Sequence, residues 1–207
     1  MLLDEKLLQK QAENKKREEL KKQLQDVKED IFRQEQEQKP VEDWIREIDC
    51  KLVEINGKKF VCEKKKVAGN HIGIFILPED VETIIEDHNV VTVIYRTLEI
   101  GTNTTFLNQP SVIKNHKEFQ EKLIKQYSQD KVTYCPVDSG ILDSGKYKIC
   151  FAEGVMASAI GGIFINNFIC SGKKRAVIGN YSCRLVQRYT FGNLFKAMLT
   201  KMFEEDR

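Results

Sequence analysis

From Leu20 the apolar positions step by four, three and four, through Leu24, Val27 and Ile31, within an otherwise polar stretch. That is the spacing of the a and d positions of a coiled coil. Run backwards, the register puts Arg17, Glu13 and Lys10 on the seam, so the repeat holds for about two heptads. Residues 1–39 contain no Gly and no Pro, and Pro40 is the first breaker. The pattern predicts a long charged helix over 1–39, separate from the remainder of the chain. It suits a solvated helix, one laid on its own domain, or one that presents Leu20, Leu24, Val27 and Ile31 to a protein partner or to a second copy.

After Pro40 the period shortens. Val41 to Glu47, with Trp44, predicts a short helix. Residues 50–55 and 59–63 read as strands around Asn56-Gly57, a strong hairpin signal, because a type I′ turn needs positive φ at both central positions. Further strands are predicted at 72–77, ended by Pro78, and at 90–95, with a short one at 83–85. Residues 101–109 read as a polar loop. Val112, Phe119, Leu123, Ile124 and Tyr127 then mark a helix with Ser111 as its cap. Strands return at 131–137, 146–153, 155–160, 162–170 and 174–183. They are divided by apparent turns at Asp138-Ser139-Gly140, Asp143-Ser144-Gly145, Gly161-Gly162 and Ser171-Gly172. Phe191, Leu194, Phe195, Met198, Leu199 and Met202 line a closing helix near 188–204. Successive hairpins with a mid-chain and a terminal helix predict an α+β domain over 40–207, an antiparallel sheet with helices packed on it.

Composition refines this picture. The 207 residues carry 33 bases and 31 acids, a net charge of +2, which argues against a nucleic-acid binder. Residues 1–39 hold ten of each sign, so the globular part carries the whole net charge. Six cysteines sit in or beside apolar runs without a CxxC pair, which fits buried, reduced thiols in a cytoplasmic protein rather than disulfides or zinc. The chain opens with Asp4 and Glu5 and lacks the apolar core of a signal peptide. The longest uncharged run, 154–172, contains Asn166, Asn167 and Gly161-Gly162 and reads as two core strands, so no membrane insertion is expected. In a cytoplasmic chain the sequons Asn103-Thr104-Thr105 and Asn180-Tyr181-Ser182 carry no glycan.

Catalytic signals are sparse. His71, His88 and His116 have no partner at metal spacing. Cys135 with His116 is the best nucleophile–base pairing available, without a local signature to support it. Ser171-Gly172-Lys173-Lys174 lacks the frame of a phosphate loop, and Lys64-Lys65-Lys66 and Lys173-Lys174-Arg175 read as solvated strand edges. No catalytic residue, cofactor or metal site is expected.

Four segments carry a family resemblance. They are Ile74-Phe75-Ile76-Leu77-Pro78 as an opening strand, Phe119 to Tyr127 as a mid-chain helix, the hairpin from Phe164 to Cys183, and Phe195 to Leu199 in a closing helix. In this order, over residues 69–207, the chain resembles the PsbP-like α/β sandwich group, which includes DcrB-type proteins and Eag-type secretion chaperones. It departs from that group in its N-terminal helix, its extra Asn-Gly hairpin and its lack of a lipoprotein or transit signal. The resemblance implies protein binding without a shared catalytic site. The functional expectation is therefore a non-enzymatic interaction module, adaptor or chaperone-like. The alternatives are a bacterial immunity or toxin-associated factor and an enzyme with a dispersed active site.

Overall fold

The computed structural model describes residues 38–66, 72–113, 115–145, 147–158 and 161–203. The expected helix over 1–39, with Leu20, Leu24, Val27 and Ile31, lies outside the described residues apart from its last two positions.

The described chain begins with α1 (Val41–Asp49), followed by two small hairpins: β1 (Leu52–Ile55) with β2 (Lys58–Val61), and β3 (Glu63–Lys66) with β4 (Gly73–Ile76). Asn56 and Gly57 have φ of 51° and 76°, as a type I′ turn between β1 and β2 requires. A one-turn helix at Pro78–Asp80 leads into β5 (Val81–Asp87), β6 (Val90–Tyr95) and β7 (Gly101–Leu107). Then come α2 (His116–Gln129), the four strands β8 (Tyr134–Asp143), β9 (Lys148–Ser158), β10 (Gly161–Ser171) and β11 (Ala176–Arg184), and α3 (Arg188–Met202). The main sheet has seven strands in the order β5-β6-β7-β11-β10-β9-β8, with every neighbour antiparallel. The architecture is the α+β arrangement expected from the pattern, an antiparallel sheet with helices packed on it.

Helices occupy both faces of this sheet. On the inner face, Phe164, Phe168, Val177 and Tyr181 meet Phe191, Leu194, Phe195 and Leu199 of α3, and α1 and the two hairpins complete the same core. Phe191, Leu194, Phe195, Leu199 and Met202 are almost fully buried. Each contributes roughly 1.5–3 kcal/mol of burial, which anchors α3. Phe195 stacks on Tyr181 with ring centres 5.0 Å apart. On the outer face, α2 places Phe119 over Ala152 and Ile169.

Four local expectations differ from the structure, three for a steric or packing reason and one for a hydrogen bond. Residues 101–107 form a central strand, not a loop. Thr102, Thr104 and Phe106 alternate into the core, and threonine's branched side chain suits a pleated surface. Asp138-Ser139-Gly140 is not a turn but the middle of β8. Gly140 is required there because a Cβ would lie 2.8 Å from the Phe151 ring. Gly154 likewise does not divide two strands. It lies within the continuous β9, where a Cβ would sit 2.2 Å from the Tyr134 ring. The cap of α2 is Asn115, whose side chain accepts from the Glu118 amide at 2.9 Å, not Ser111.

Candidate functional site

Two places in the fold concentrate polar chemistry: a charged cluster beneath α3, and the open half of the outer sheet face.

The cluster follows from strand parity. Ile149, Phe151, Glu153 and Val155 alternate onto the inner face of β9, so one carboxylate stands in an apolar row. Glu153 is only 3% exposed and pairs across the sheet with Asn166, which is fully buried. The Asn166 amide donates to Glu153 Oε1 at 3.1 Å, and Lys196 Nζ of α3 lies 3.0 Å from the same oxygen. Lys196 also reaches Asp138 at 3.5 Å and sits 4.6 Å from the centre of the Phe151 ring. At the start of α3, the Arg188 guanidinium lies 5.4 Å from the Phe164 ring centre. Arg188 Nη1 and Asn166 Oδ1 are buried without a hydrogen-bond partner among the described residues. Burial raises the Glu153 carboxyl above its ordinary value, and the Lys196 charge and hydrogen bond oppose that rise.

This has a sign that can be tested. A carboxyl raised in the folded state gives stability that is present below its unfolded pKa and is lost as pH climbs through the folded value. As pH rises above about 4.5, the wild-type chain is expected to lose stability relative to Glu153→Gln, read from urea midpoints. Parallel pH profiles for the two proteins would show that the carboxyl is not perturbed. A group this well sealed cannot touch a substrate without opening α3, so the cluster belongs to the core.

The outer face is divided differently. α2 packs on β8 and β9, and the small apolar cluster beneath it reaches Ile169 of β10 and Ile178 of β11. Over β5, β6 and β7 no described helix or hairpin covers it. Register puts Ile85, Thr92, Asn103, Asn180 and Asn167 side by side on successive strands. Thr83, Ile94, Thr105 and Ser182 flank that row. Ile85 is 54% exposed and Ile94 41%. The Asn103 amide donates to Thr92 Oγ1 at 2.9 Å. At the covered end, the Tyr127 hydroxyl donates to Asn167 Oδ1 at 3.1 Å, and Tyr127 and Tyr134 stack with centres 4.6 Å apart. Both tyrosines are raised above the usual phenol value, chiefly by burial. Both sequon asparagines, Asn103 and Asn180, are direct cross-strand neighbours on this face.

The chemistry weighed from the sequence is dispersed by the fold. Cys135 shares the inner face with Val155, whereas His116 opens α2 on the outer side, so the two do not form a nucleophile–base pair. None of the six cysteines forms a disulfide. Cys62, Cys170 and Cys183 are buried, and burial pushes each thiol up to about 12, which makes them poor nucleophiles. Cys50 is exposed and Cys135 and Cys150 are half-buried, unlike the buried positions expected from their apolar neighbours. Among the described residues, no three His, Cys, Asp or Glu side chains are grouped to hold a metal ion, and no helix is long and apolar enough to cross a membrane. The Glu153–Lys196 pair was missed from sequence. Its available signal was the inward parity of Glu153 within the row from Ile149 to Val155.

Comparison with solved structures matches this arrangement of strands and helices to cyanobacterial PsbP (CyanoP) from Synechocystis sp. PCC 6803. The match has a TM-score of 0.54 and 8% identity, and covers 67% of this chain and 89% of that one. The fold is PsbP-like. A protein of unknown function from Pseudomonas aeruginosa, PA94, aligns over 70% of this chain and 99% of its own, with a TM-score of 0.43 and 4% identity. No protein-family model matches the sequence, and no curated protein matches it. Within the PsbP-like fold, the seven-stranded sheet and α3 supply the frame, and the uncovered outer face is the surface it leaves available.

Proposed function

We propose that this chain is a non-enzymatic protein-interaction module, an adaptor or chaperone-like factor acting in the cytoplasm. The observation that carries this reading is the outer sheet face left open over β5, β6 and β7, with Ile85 exposed on the edge strand and Ile94 on β6 beside it. Exposed apolar groups set among polar ones are the usual character of a protein-binding patch. The charged segment 1–39 is the second contact, with Leu20, Leu24, Val27 and Ile31 facing a protein partner or another copy, and 40–207 is the domain that carries the sheet. The net charge of +2 does not favour nucleic acid as the partner.

The test compares the full chain, the chain lacking residues 1–39, and the full chain carrying Ile94→Lys. Each serves as bait in its source cell, with captured proteins quantified and molar mass measured by light scattering. The deletion and the substitution are each expected to reduce capture of the same partner by about ten-fold or more. Identical capture by all three, at the level of bare resin, would overturn the reading. Unchanged mass and capture in the deletion alone would remove the helix from it.

A further inference from the structure

The two ends of the main sheet are built differently. β8 carries Pro136 and a register shift between Pro136 and Asp138, and α2 packs against it. Proline and bulges are devices that stop a strand from accepting another. At the other end, among the described residues β5 is paired on one side only, to β6, and its single irregularity lies between Val81 and Thr83. From Thr83 to Asp87 the register is regular and contains no proline. The His88-Asn89 turn closes on the pair Asp87–Val90, so Asp87, Ile85 and Thr83 exchange hydrogen bonds with β6. The backbone donors and acceptors of Ile84 and Glu86 then point away from the sheet. Among the described residues nothing bonds to them.

The side chains on this edge have one sign. Within Val81–Asp87 there are three acids, Glu82, Glu86 and Asp87, and no base. One of them already takes a cation, since Lys65 Nζ of β3 lies 2.5 Å from Glu86 Oε1. Antiparallel pairing of two copies centred on Ile84 would set Glu82 against Glu86 twice, and like charges directly opposed are destabilising. The same acids favour a strand that brings lysine or arginine opposite them, while Ile85 offers it an apolar neighbour.

We infer that the free edge of β5 receives an extended segment of a partner protein in which basic and apolar residues alternate, added as an eighth strand of the main sheet. Main-chain bonds to Ile84 and Glu86 supply the affinity, and the acids select the sequence while rejecting a second copy. This rests on the protein-binding reading above and names the chemistry of the partner.

The test uses the full chain, labelled with nitrogen-15, and three end-blocked peptides. One has four Lys-Val repeats, the second has four Glu-Val repeats, and the third is the Lys-Val peptide with alternate amides N-methylated. The Lys-Val peptide is expected to shift and protect from exchange the Ile84 and Glu86 amides. The methylated and acidic peptides should bind about ten-fold or more weakly. The double variant Glu82→Lys, Glu86→Lys should exchange the preference towards the Glu-Val peptide. Equal binding of the methylated peptide, shifts mapping away from β5, or unaided dimerisation through β5 would each overturn the inference. The capture experiment separates the two readings. If partner capture persists while the peptides fail to engage β5, the module stands and this edge is not its site.

Discussion

Replacing Lys196 with methionine is expected to cost the fold about 3–5 kcal/mol at neutral pH. The Lys196 side chain is 16% exposed and supplies the direct cation contact to Glu153, with Asp138 as its second acid. Methionine fills much of the same volume and keeps the contact with Phe151, so the loss isolates the electrostatic part. Without the ammonium, the Glu153 carboxyl must either stay charged in an apolar layer or hold a proton against the solution. The penalty therefore grows as pH rises, because taking up that proton becomes harder. The double variant Lys196→Met, Glu153→Leu should recover most of the loss, because neither charge then remains to be desolvated. Urea unfolding of the four proteins of this cycle measures the coupling. A single variant as stable as the parent would show that the pair contributes nothing.

The second large effect is expected at Asp80. Its side chain is buried at the entrance to β5 and accepts from the Thr97 amide at 3.1 Å, from the Thr97 hydroxyl, and from the Leu98 amide at 3.0 Å. Its own carbonyl accepts from the Arg96 amide at 2.9 Å, so one residue ties the start of β5 to the turn between β6 and β7. Asp80→Ala leaves two backbone donors without their acceptor and should cost about 3 kcal/mol or more. Asp80→Asn keeps the shape and one acceptor oxygen, and should cost distinctly less. Hydrogen exchange at Thr97 and Leu98 distinguishes the causes. Both amides should lose protection in the alanine variant before the rest of the sheet does. Unchanged protection at both would show that the carboxylate is not what holds them.

Most of the architecture was legible where one local rule acted alone. Asn56-Gly57 announced its turn because few other residues accept two positive φ values in succession. The closing helix was legible because six large apolar residues repeat on one face. Misreadings occurred where polar residues were serving the core. Thr102 and Thr104 are buried in a central strand, although a polar tally of 101–109 reads as a loop. Gly140 and Gly154 looked like punctuation, but their missing side chains make room for Phe151 and Tyr134 from neighbouring strands. Such a reason appears only once the partners are known. The open outer face had no sequence signature of its own. Its Thr and Asn residues alternate with core residues just as those of a covered strand do, and only the position of α2 distinguishes the two halves.

The strand order has a consequence for how the protein is made. β5, β6 and β7 form one meander, and β8 to β11 form another, each built from neighbours in the chain. The two are joined within the sheet by a single pairing, Gly101–Leu107 of β7 against Ala176–Ser182 of β11. Closing that pairing brings together residues separated by α2 and β8 to β10, so among the strand pairings of the main sheet it carries the largest loop entropy. Each meander can form locally first, and the sheet becomes continuous when they meet along this seam. The same seam divides the chain into two complementary fragments, cut within 108–113, whose association would rebuild the sheet from separately synthesised halves.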